Sequence, residues 1–341
     1  MGKVDTHVHT QFSGYSKLGA LKFPESVISP EVQVDNARRL GYDVLCITDH
    51  DETAGGFVAE KYARQFDDIE IIVGEEVMTN EGEVIGLFLN ERVKPMLSPE
   101  ETIDIIREQG GLTIAPHPFS VHVEGLKERC LDLDLDGIET INGGHPDEYS
   151  NRFAQMVCDR HPGRWAEISG SDAHSVYTSG FNWTEFDGNT AEDFRRAVLN
   201  KTTRAVGRPA PVFTQVQWSV EVVLGGQKLL MKALKGPLEG HPDDQLINKI
   251  NSINNPMKGA GLVGGTIYLF PPIVCLATLL STKYLEIKAR EAIKQIPERL
   301  KVVDRILREV DAKAKELAAM GITSVAEFTD AINPIKNDRM F

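Results

Sequence analysis

Cysteine is scarce and scattered in this chain: Cys46, Cys130, Cys158 and Cys275 are the four present in 341 residues, and no two form a CxxC pair. That spacing excludes a thiolate zinc knuckle and a disulfide scaffold and fits a reducing, cytoplasmic setting. A surplus of positive charge is also missing, since 37 Lys and Arg face 50 Asp and Glu for a net charge of -13. An extended phosphate-binding face of the kind used by non-specific nucleic-acid binders is therefore excluded, and nucleic acid would be met only at a pocket. The N-terminus lacks the basic then apolar run of a secretory leader, so none is expected there. Long uncharged apolar runs are absent before residue 259. What is present is an ordinary globular composition, 41% apolar and 26% charged, in a chain long enough for one large domain and a smaller addition.

The opening run Val4-Asp5-Thr6-His7-Val8-His9-Thr10 reads as a strand, which places His7 and His9 on one face with one residue between them. Neutral imidazole is the commonest side-chain ligand for zinc, manganese and iron, so the pair is a candidate claw for a cation; two such histidines also serve as plain packing residues. After a Gly- and Ser-spotted loop, Ser29-Pro30-Glu31 supplies an N-cap and a first-turn proline for a helix ending at Gly41. The pattern predicts a strand over 43–48, a helix over 55–66, and strands over 69–77 and 83–89. A capping box, Ser98-Pro99-Glu100-Glu101, opens a helix to Gly110, and strands over 112–115 and 137–141 follow. A helix over 147–160, a last strand over 165–169 and a closing helix capped by Thr190 and Asp193 complete the pattern. Strand and helix alternating over some 200 residues predict parallel βα units closed into a barrel or barrel-like sheet.

Polar residues gather at the C-terminal ends of those strands. His7 and His9, His50, Glu75-Glu76, His117, and Asp172 with His174 each stand at or just past one, where the loops of a parallel barrel converge on a single opening. Five of the nine histidines fall in these short segments, which scattered structural histidines would not do. Imidazole and carboxylate without thiolate suits catalytic manganese, iron or zinc, with magnesium as a further candidate. More than four candidate ligands implies two or three divalent ions, and Glu76 has an oxygen for each of two. Such a cluster polarises a phosphoryl group, turns a bound water into hydroxide at neutral pH and stabilises the leaving oxygen. Hydrolysis of a phosphate ester is the expected reaction, with Glu76, His117 and Asp172 at its centre.

Taken in order, Asp5-Thr6-His7-Val8-His9-Thr10, Ile47-Thr48-Asp49-His50-Asp51, Gly74-Glu75-Glu76, Pro116-His117-Pro118 and Gly170-Ser171-Asp172-Ala173-His174 resemble the motifs of the PHP (polymerase and histidinol phosphatase) family, and the resemblance spans residues 1–210. It implies an α/β fold, a distorted TIM-like (β/α)7 barrel, with up to three cations. It also implies phosphoesterase activity on a nucleotide, an oligonucleotide end or a small phosphomonoester. Matched residue by residue, it implies that His7, His9, Glu76 and Asp172 hold one metal, that His50 serves a second, and that His117 and His174 join Glu76 at a third. The chain departs from the pattern twice. Relatives often read HxHxxxSD, whereas Gly14 follows Ser13 here, so that ligand is absent. Relatives also often carry a further histidine after the bridging glutamate; Glu83 is the nearest polar residue here, as a substitute metal ligand or as an exposed strand-edge glutamate.

Around this set, Asp49 and Asp51 are expected to hydrogen-bond ligand imidazoles, Glu75 to face away from Glu76, and Glu139 or Asn142 to line the pocket. His145 lies on a loop near the mouth, within reach of substrate, and Tyr15, Lys17 and Lys22 lie in the first βα loop, where a cation could grip phosphate. His122, His161 and His241 read as surface residues.

Residues 211–341 read as a mainly helical extension. Gly259 to Thr282 carries no Asp, Glu, Lys or Arg, a length that a membrane span requires, but Pro271-Pro272 at its middle favours a kinked or re-entrant segment. The alternative is a buried hairpin in a small helical domain. Residues 284–319 read as a charged amphipathic helix that is solvated or pairs in a homo-oligomer. The expectation is a cytoplasmic phosphoesterase, membrane-associated through the apolar segment. Its rivals are an amidohydrolase-like enzyme acting on amides or lactones, and a non-catalytic metal- or nucleotide-binding regulatory domain at a membrane, which Gly14 suggests.

Overall fold

The computed structural model describes residues 1–18 and 21–319. β1 (Gly2–Asp5) is shorter than the strand expected through Thr10. Beyond Asp5 the chain leaves the ladder but is held straight by the bridge of Val8 to Ala173 and by His9 N–H donating to the Ala173 carbonyl at 3.0 Å. The loop that follows contains a hairpin that the sequence pattern does not announce, β2 (Tyr15–Leu18) with β3 (Leu21–Pro24). α1 (Pro30–Leu40) starts on its proline and stops at Gly41, which takes a left-handed φ of 72°. β4 (Val44–Ile47), buried along its whole length, leads through α2 (Ala54–Ala63) to β5 (Glu70–Met78).

β6 (Glu83–Leu87) turns back antiparallel to β5. α3 (Pro99–Glu108) opens on the complete Ser98–Glu101 capping box, each such cap being worth about 1 kcal/mol, and β7 (Leu112–Ala115) restores the parallel direction. β8 (Gly137–Asn142), α4 (Ser150–Arg160) and β9 (Ala166–Gly170) match the expected elements. The strand expected to be last is not the last. β10 (Asn182–Phe186) and β11 (Arg204–Gly207) flank α5 (Ala191–Leu199), which carries the Thr190–Asp193 capping box. In β10 the buried positions alternate as in a one-sided strand, but two of them are Asn182 and Thr184, so no apolar pattern advertises it.

The strands form one sheet in the order β11-β10-β1-β4-β5-β6-β7-β8-β9. β1, β4, β5, β7, β8 and β9 run one way, and β6 and β10 run the other. Side chains of β10 draw the far edge in: Thr184 Oγ1 accepts from Ser169 N–H at 2.7 Å and donates to the Ser169 carbonyl at 3.0 Å, and Asn182 Nδ2 donates to the Gly170 carbonyl at 2.6 Å. The result is a mixed α/β, nine-stranded barrel-like sheet in place of seven uniform βα units. Val4, Val44, Cys46, Ile72, Ile85, Ile114 and Ile168 fill its interior from six strands, with Phe186 and Phe194 beside them. The strands thus begin apolar and end ionisable, and the apolar layer fixes where the polar ends meet.

Four helices follow among the described residues: α6 (Val212–Ala233), α7 (Gln245–Ser252), α8 (Asn255–Tyr268) and the 49-residue α9 (Pro271–Ala319). Ala289, Ile296, Leu300, Val303 and Leu307 recur along one face of α9 and join the buried cluster of Phe119, Tyr149, Phe153 and Val157. Arg299 adds a hydrogen bond to Glu128 Oε1 at 2.6 Å. The helix expected to be solvated or to pair between copies is, over this half, a barrel-packing helix. Among the described residues no single helix is long and apolar enough to cross a membrane; α8 and α9 pass that test only together, bent by 78° at their junction.

Candidate metal centre

The fold brings together every ligand residue expected from the sequence. His7 and His9 follow β1, His50 follows β4, Glu76 lies on β5, Glu83 on β6, His117 follows β7, and Asp172 and His174 follow β9. Glu76 is the hub. Its Oε1 lies 2.9 Å from His117 Nε2, and its Oε2 lies 3.1 Å from His7 Nε2, 3.3 Å from His9 Nε2 and 3.1 Å from His50 Nδ1. Asp172 Oδ1 lies 3.2 Å from His9 Nε2 and 3.6 Å from both His7 Nε2 and His174 Nδ1. Glu83 is a buried member of the cluster, 3.6 Å from His117 Nε2 and 3.8 Å from His50 Nδ1, so the exposed strand-edge alternative is out. Four overlapping trios, His7-His9-Glu76, His7-His117-Asp172, His50-Glu76-Glu83 and His9-His50-His174, each bring ligand atoms within 4.8 Å of one another. His117 and His174 fall in different trios.

These atoms fit cations better than they fit each other. His7 Nδ1 donates to Glu139 Oε1 at 3.0 Å, so a neutral His7 turns an unprotonated Nε2 toward Glu76. His9 Nδ1 lies 2.9 Å from Ser13 Oγ, whose own proton goes to Asp49 Oδ1 at 2.6 Å. That leaves His9 Nε2 buried without a hydrogen-bond partner while facing two carboxylates. Two ligand atoms each about 2.1 Å from one ion stand about 3.0 Å apart at a right angle, which is the spacing around Glu76.

The electrostatics say the same. Burial, with His174 and His50 next in weight, pushes His9 down to about 3. Burial would also lower His7, but Glu76, Asp172 and Glu139 outweigh it and raise that imidazole well above its usual value. Against the same burial penalty, carboxylates raise His50, lift His117 to about 9 and raise His174. Burial would raise Glu76 and Asp172, but the surrounding histidines hold both well below the carboxylate range. Glu83, desolvated and beside Glu76, is pushed up to about 8. With protein groups alone the cluster balances its carboxylates with protons on imidazole, and a divalent cation binding there would release them.

Backbone strain collects at the same rim. Asp51, His117 and Asp172 are non-glycine residues at φ values of 50°, 27° and 51°, a region that costs about 1–2 kcal/mol per residue.

Glu25 is the site residue that sequence reasoning missed. Its Oε2 lies 2.9 Å from His50 Nε2 and 3.5 Å from His174 Nε2, and both imidazoles hold it well below its ordinary value against burial. The β2–β3 hairpin puts it there, with Glu25 N–H donating to the Gly14 carbonyl at 3.2 Å. Gly14 itself has φ 84°, and a Cβ at that position would lie 2.5 Å from Gln245 Oε1 of α7. A side chain at 14 would be strained at that φ and would displace Gln245; Glu25, just past β3, brings a carboxylate instead.

The lesser residues divide. Asp49 reaches a ligand imidazole only through Ser13, and Asp51 accepts from Met78 N–H at 2.9 Å, pinning β5 instead of touching an imidazole. Glu75 faces away and accepts from Val93 N–H at 2.7 Å. Glu139 and Asn142 both line the centre, with Asn142 Nδ2 donating to Glu139 Oε2 at 2.9 Å and to Asp172 Oδ2 at 3.3 Å. His145 is buried, both nitrogens engaged by Asn142 Oδ1 and Ser120 Oγ at 2.8 Å, and it stacks on His117, so it packs beneath a candidate ligand with no ring nitrogen left over. Tyr15 Oη donates to the Leu246 carbonyl of α7 at 3.4 Å, and the side chains of Lys17 and Lys22 lie outside the described residues. His122 and His241 are exposed, and His161 is half-buried beside Asp304.

No family model matches the chain. It is similar to PsfC of Pseudomonas syringae, 18% identical with a TM-score of 0.48 over 64% of this chain and 99% of that one. It is also similar to Endonuclease Q, solved with a 27-mer duplex bearing an abasic lesion, at 18% identity and a TM-score of 0.36 over 58% of this chain and 56% of that one. Likenesses this weak bear on neither fold nor chemistry. A stretch of 152 residues, 45% of the chain, is 49% identical to the uncharacterized protein MJ1587 of Methanocaldococcus jannaschii and covers 88% of it, so the chain belongs to the family of that protein.

Proposed function

We propose that the chain is a PHP-type metal-dependent hydrolase of phosphate esters, its substrate a nucleotide, an oligonucleotide end or a small phosphomonoester. The observation that carries this reading is the meeting of five imidazoles (His7, His9, His50, His117, His174) and four carboxylates (Glu25, Glu76, Glu83, Asp172) around one hub, Glu76, with His9 Nε2 buried and unbonded. Divalent ions bound there supply a Lewis acid for a phosphoryl oxygen and a water of lowered pKa.

The chain's own residues do the rest. Glu76 offers one oxygen to the His7, His9 and His50 side and the other to His117, as a bridging ligand must. Glu139 and the Asp49–Ser13 pair hold the Nδ1 atoms of His7 and His9, keeping each Nε2 turned inward. Without metal the imidazoles that would be ligands carry the protons that offset the carboxylates, and divalent ions would replace those protons while supplying the charge that draws a phosphate. Activity should therefore depend wholly on metal. Gly14 would favour a domain with a lost ligand, but Glu25 restores a carboxylate beside His50 and His174, which supports a full set of sites over the regulatory reading.

Full-length protein reconstituted with manganese or zinc is to be screened on phosphomonoesters, nucleotides and short oligonucleotides, with amides and lactones alongside. Turnover of a phosphate ester, abolished by chelation and by Asp172→Ala, is expected. A metal-loaded protein that turns over amides or lactones and no phosphate ester would overturn the proposal.

A further inference from the structure

The junction of α8 and α9 has no part in the metal centre. Residues 259–282 around it carry no Asp, Glu, Lys or Arg, and their large apolar side chains point away from the protein. Val263, Ile267, Phe270, Leu276, Leu279 and Leu280 are each more than half exposed, and Val274 alone in this stretch is buried. One side of α8 packs along α6, where Gln227 Nε2 donates to the Leu262 carbonyl at 3.0 Å, but the apolar side chains around the turn into α9 lie in no core, and such a surface suits a bilayer. A second copy of the chain would cover one side of such an elbow, whereas lipid surrounds it.

The backbone points the same way. A break in a helix ordinarily frees N–H groups that then need water. Here Leu269 N–H donates to the Gly265 carbonyl, Phe270 N–H to that of Ile267, and Ile273 and Val274 N–H to that of Phe270, while Pro271 and Pro272 have no N–H to satisfy. The hydroxyls behave likewise: Thr266 donates to the Leu262 carbonyl and Thr278 to the Val274 carbonyl, both at 2.9 Å within their own helix. None of these donors needs water.

Size and charge set the depth. The uncharged limbs, residues 259–268 and 271–282, are about 15 and 18 Å long, and a V of such limbs bent by 78° reaches down only about 10 Å, within one leaflet of a hydrocarbon core about 30 Å thick. Where α9 leaves the elbow, exposed Lys283, Lys288 and Arg290 would stand at headgroup level in a chain whose overall charge is -13; Glu286 lies 2.9 Å from Lys283 and 3.9 Å from Arg290, which leaves an excess of positive charge over residues 283–290. We propose that the α8–α9 elbow is a monotopic anchor that buries Ile267, Phe270, Leu276 and Leu279 in one leaflet of an anionic bilayer and holds the barrel at its surface. The anchor is independent of the chemistry proposed for the barrel.

Cys275 sits in the elbow and is exposed, whereas Cys46, Cys130 and Cys158 are buried, so a nitroxide can be placed there on the full-length chain. With vesicles of phosphatidylcholine and phosphatidylglycerol in equal parts, the protein is expected to sediment with lipid. The label should lose contact with a water-soluble nickel chelate and gain contact with oxygen. Vesicles of phosphatidylcholine alone should bind more weakly. The double variant Phe270→Glu, Leu279→Glu should lose binding at least tenfold with unchanged helix content by circular dichroism, while Val123→Glu, at an exposed apolar residue on the barrel, should bind as the parent does. Protein that stays in the supernatant with both lipids would overturn the proposal. So would a stable oligomer by light scattering in which the label is already shielded without lipid.

Discussion

At the mouth of the barrel, His7, His9, Glu76 and Asp172 put ionisable groups where little or no solvent reaches, whereas the α8–α9 elbow puts Ile267, Phe270 and Leu279 where it does. Each reverses the usual distribution of a soluble domain, and each is costly unless something other than polypeptide completes it. At the rim the partner proposed is a set of cations, and at the elbow it is lipid. The two places also differ in construction. The rim is assembled from short pieces of the chain far apart in sequence and is held by an apolar barrel beneath it, while the elbow is one continuous stretch held by α6 on its α8 side and by the packed half of α9 on the other.

That contrast can be broken at several points. The largest effect is expected at the hub: Glu76→Gln should reduce phosphate-ester turnover by roughly a thousandfold or more, since it removes charge from every cation it would touch; steady-state kinetics with the fold checked by circular dichroism measures this. Next, the two halves of α9 should respond differently to truncation. Leu300→Ala, in the cluster with Phe119 and Phe153, should cost about 2–4 kcal/mol in urea unfolding, whereas Leu279→Ala should change stability by less than about 0.5 kcal/mol. Third, free metal at about a hundred times its Kd should stabilise the chain by about 2.7 kcal/mol, an upward shift in Tm that a chelator reverses and that Phe270→Glu leaves intact. The smallest effect is Glu139→Gln, which leaves every ligand in place but replaces the carboxylate that accepts from His7 Nδ1 and His117 N–H by a neutral amide with only one acceptor oxygen; metal affinity by calorimetry should fall about 10–100-fold.

Sequence made the rim readable because its residues sit where strands stop, and strand ends are visible as short apolar runs closing on His or Asp. The strand through Ile47 and the one through Ala115 show this directly, and their apolar runs close on the ligand-bearing segments of His50 and His117. Glu25 was invisible for the opposite reason. It lies eleven positions past Gly14, in a Phe-Pro-Glu-Ser stretch with no ligand spacing, and only the hairpin between them makes the two residues neighbours. β10 hid because its inward residues include Asn182 and Thr184, whose work is to hydrogen-bond β9 and not to fill a core. The place of His145 near the mouth is legible in the sequence, but the two hydrogen bonds that hold it against His117 are not, since they depend on Asn142 and on Ser120 far away in the chain. Along α9 the heptad-like recurrence of Ala289, Ile296, Leu300, Val303 and Leu307 was present in the sequence, but periodicity names an apolar face without naming what covers it.

The account rests on cations gathered at Glu76, and counting them is the most direct test. Full-length protein loaded with manganese, freed of excess ion and analysed by mass spectrometry of its metal content should retain about two to three ions per chain, and the Glu76→Gln variant fewer. A folded chain that retains no manganese, zinc or iron under any loading condition would contradict it.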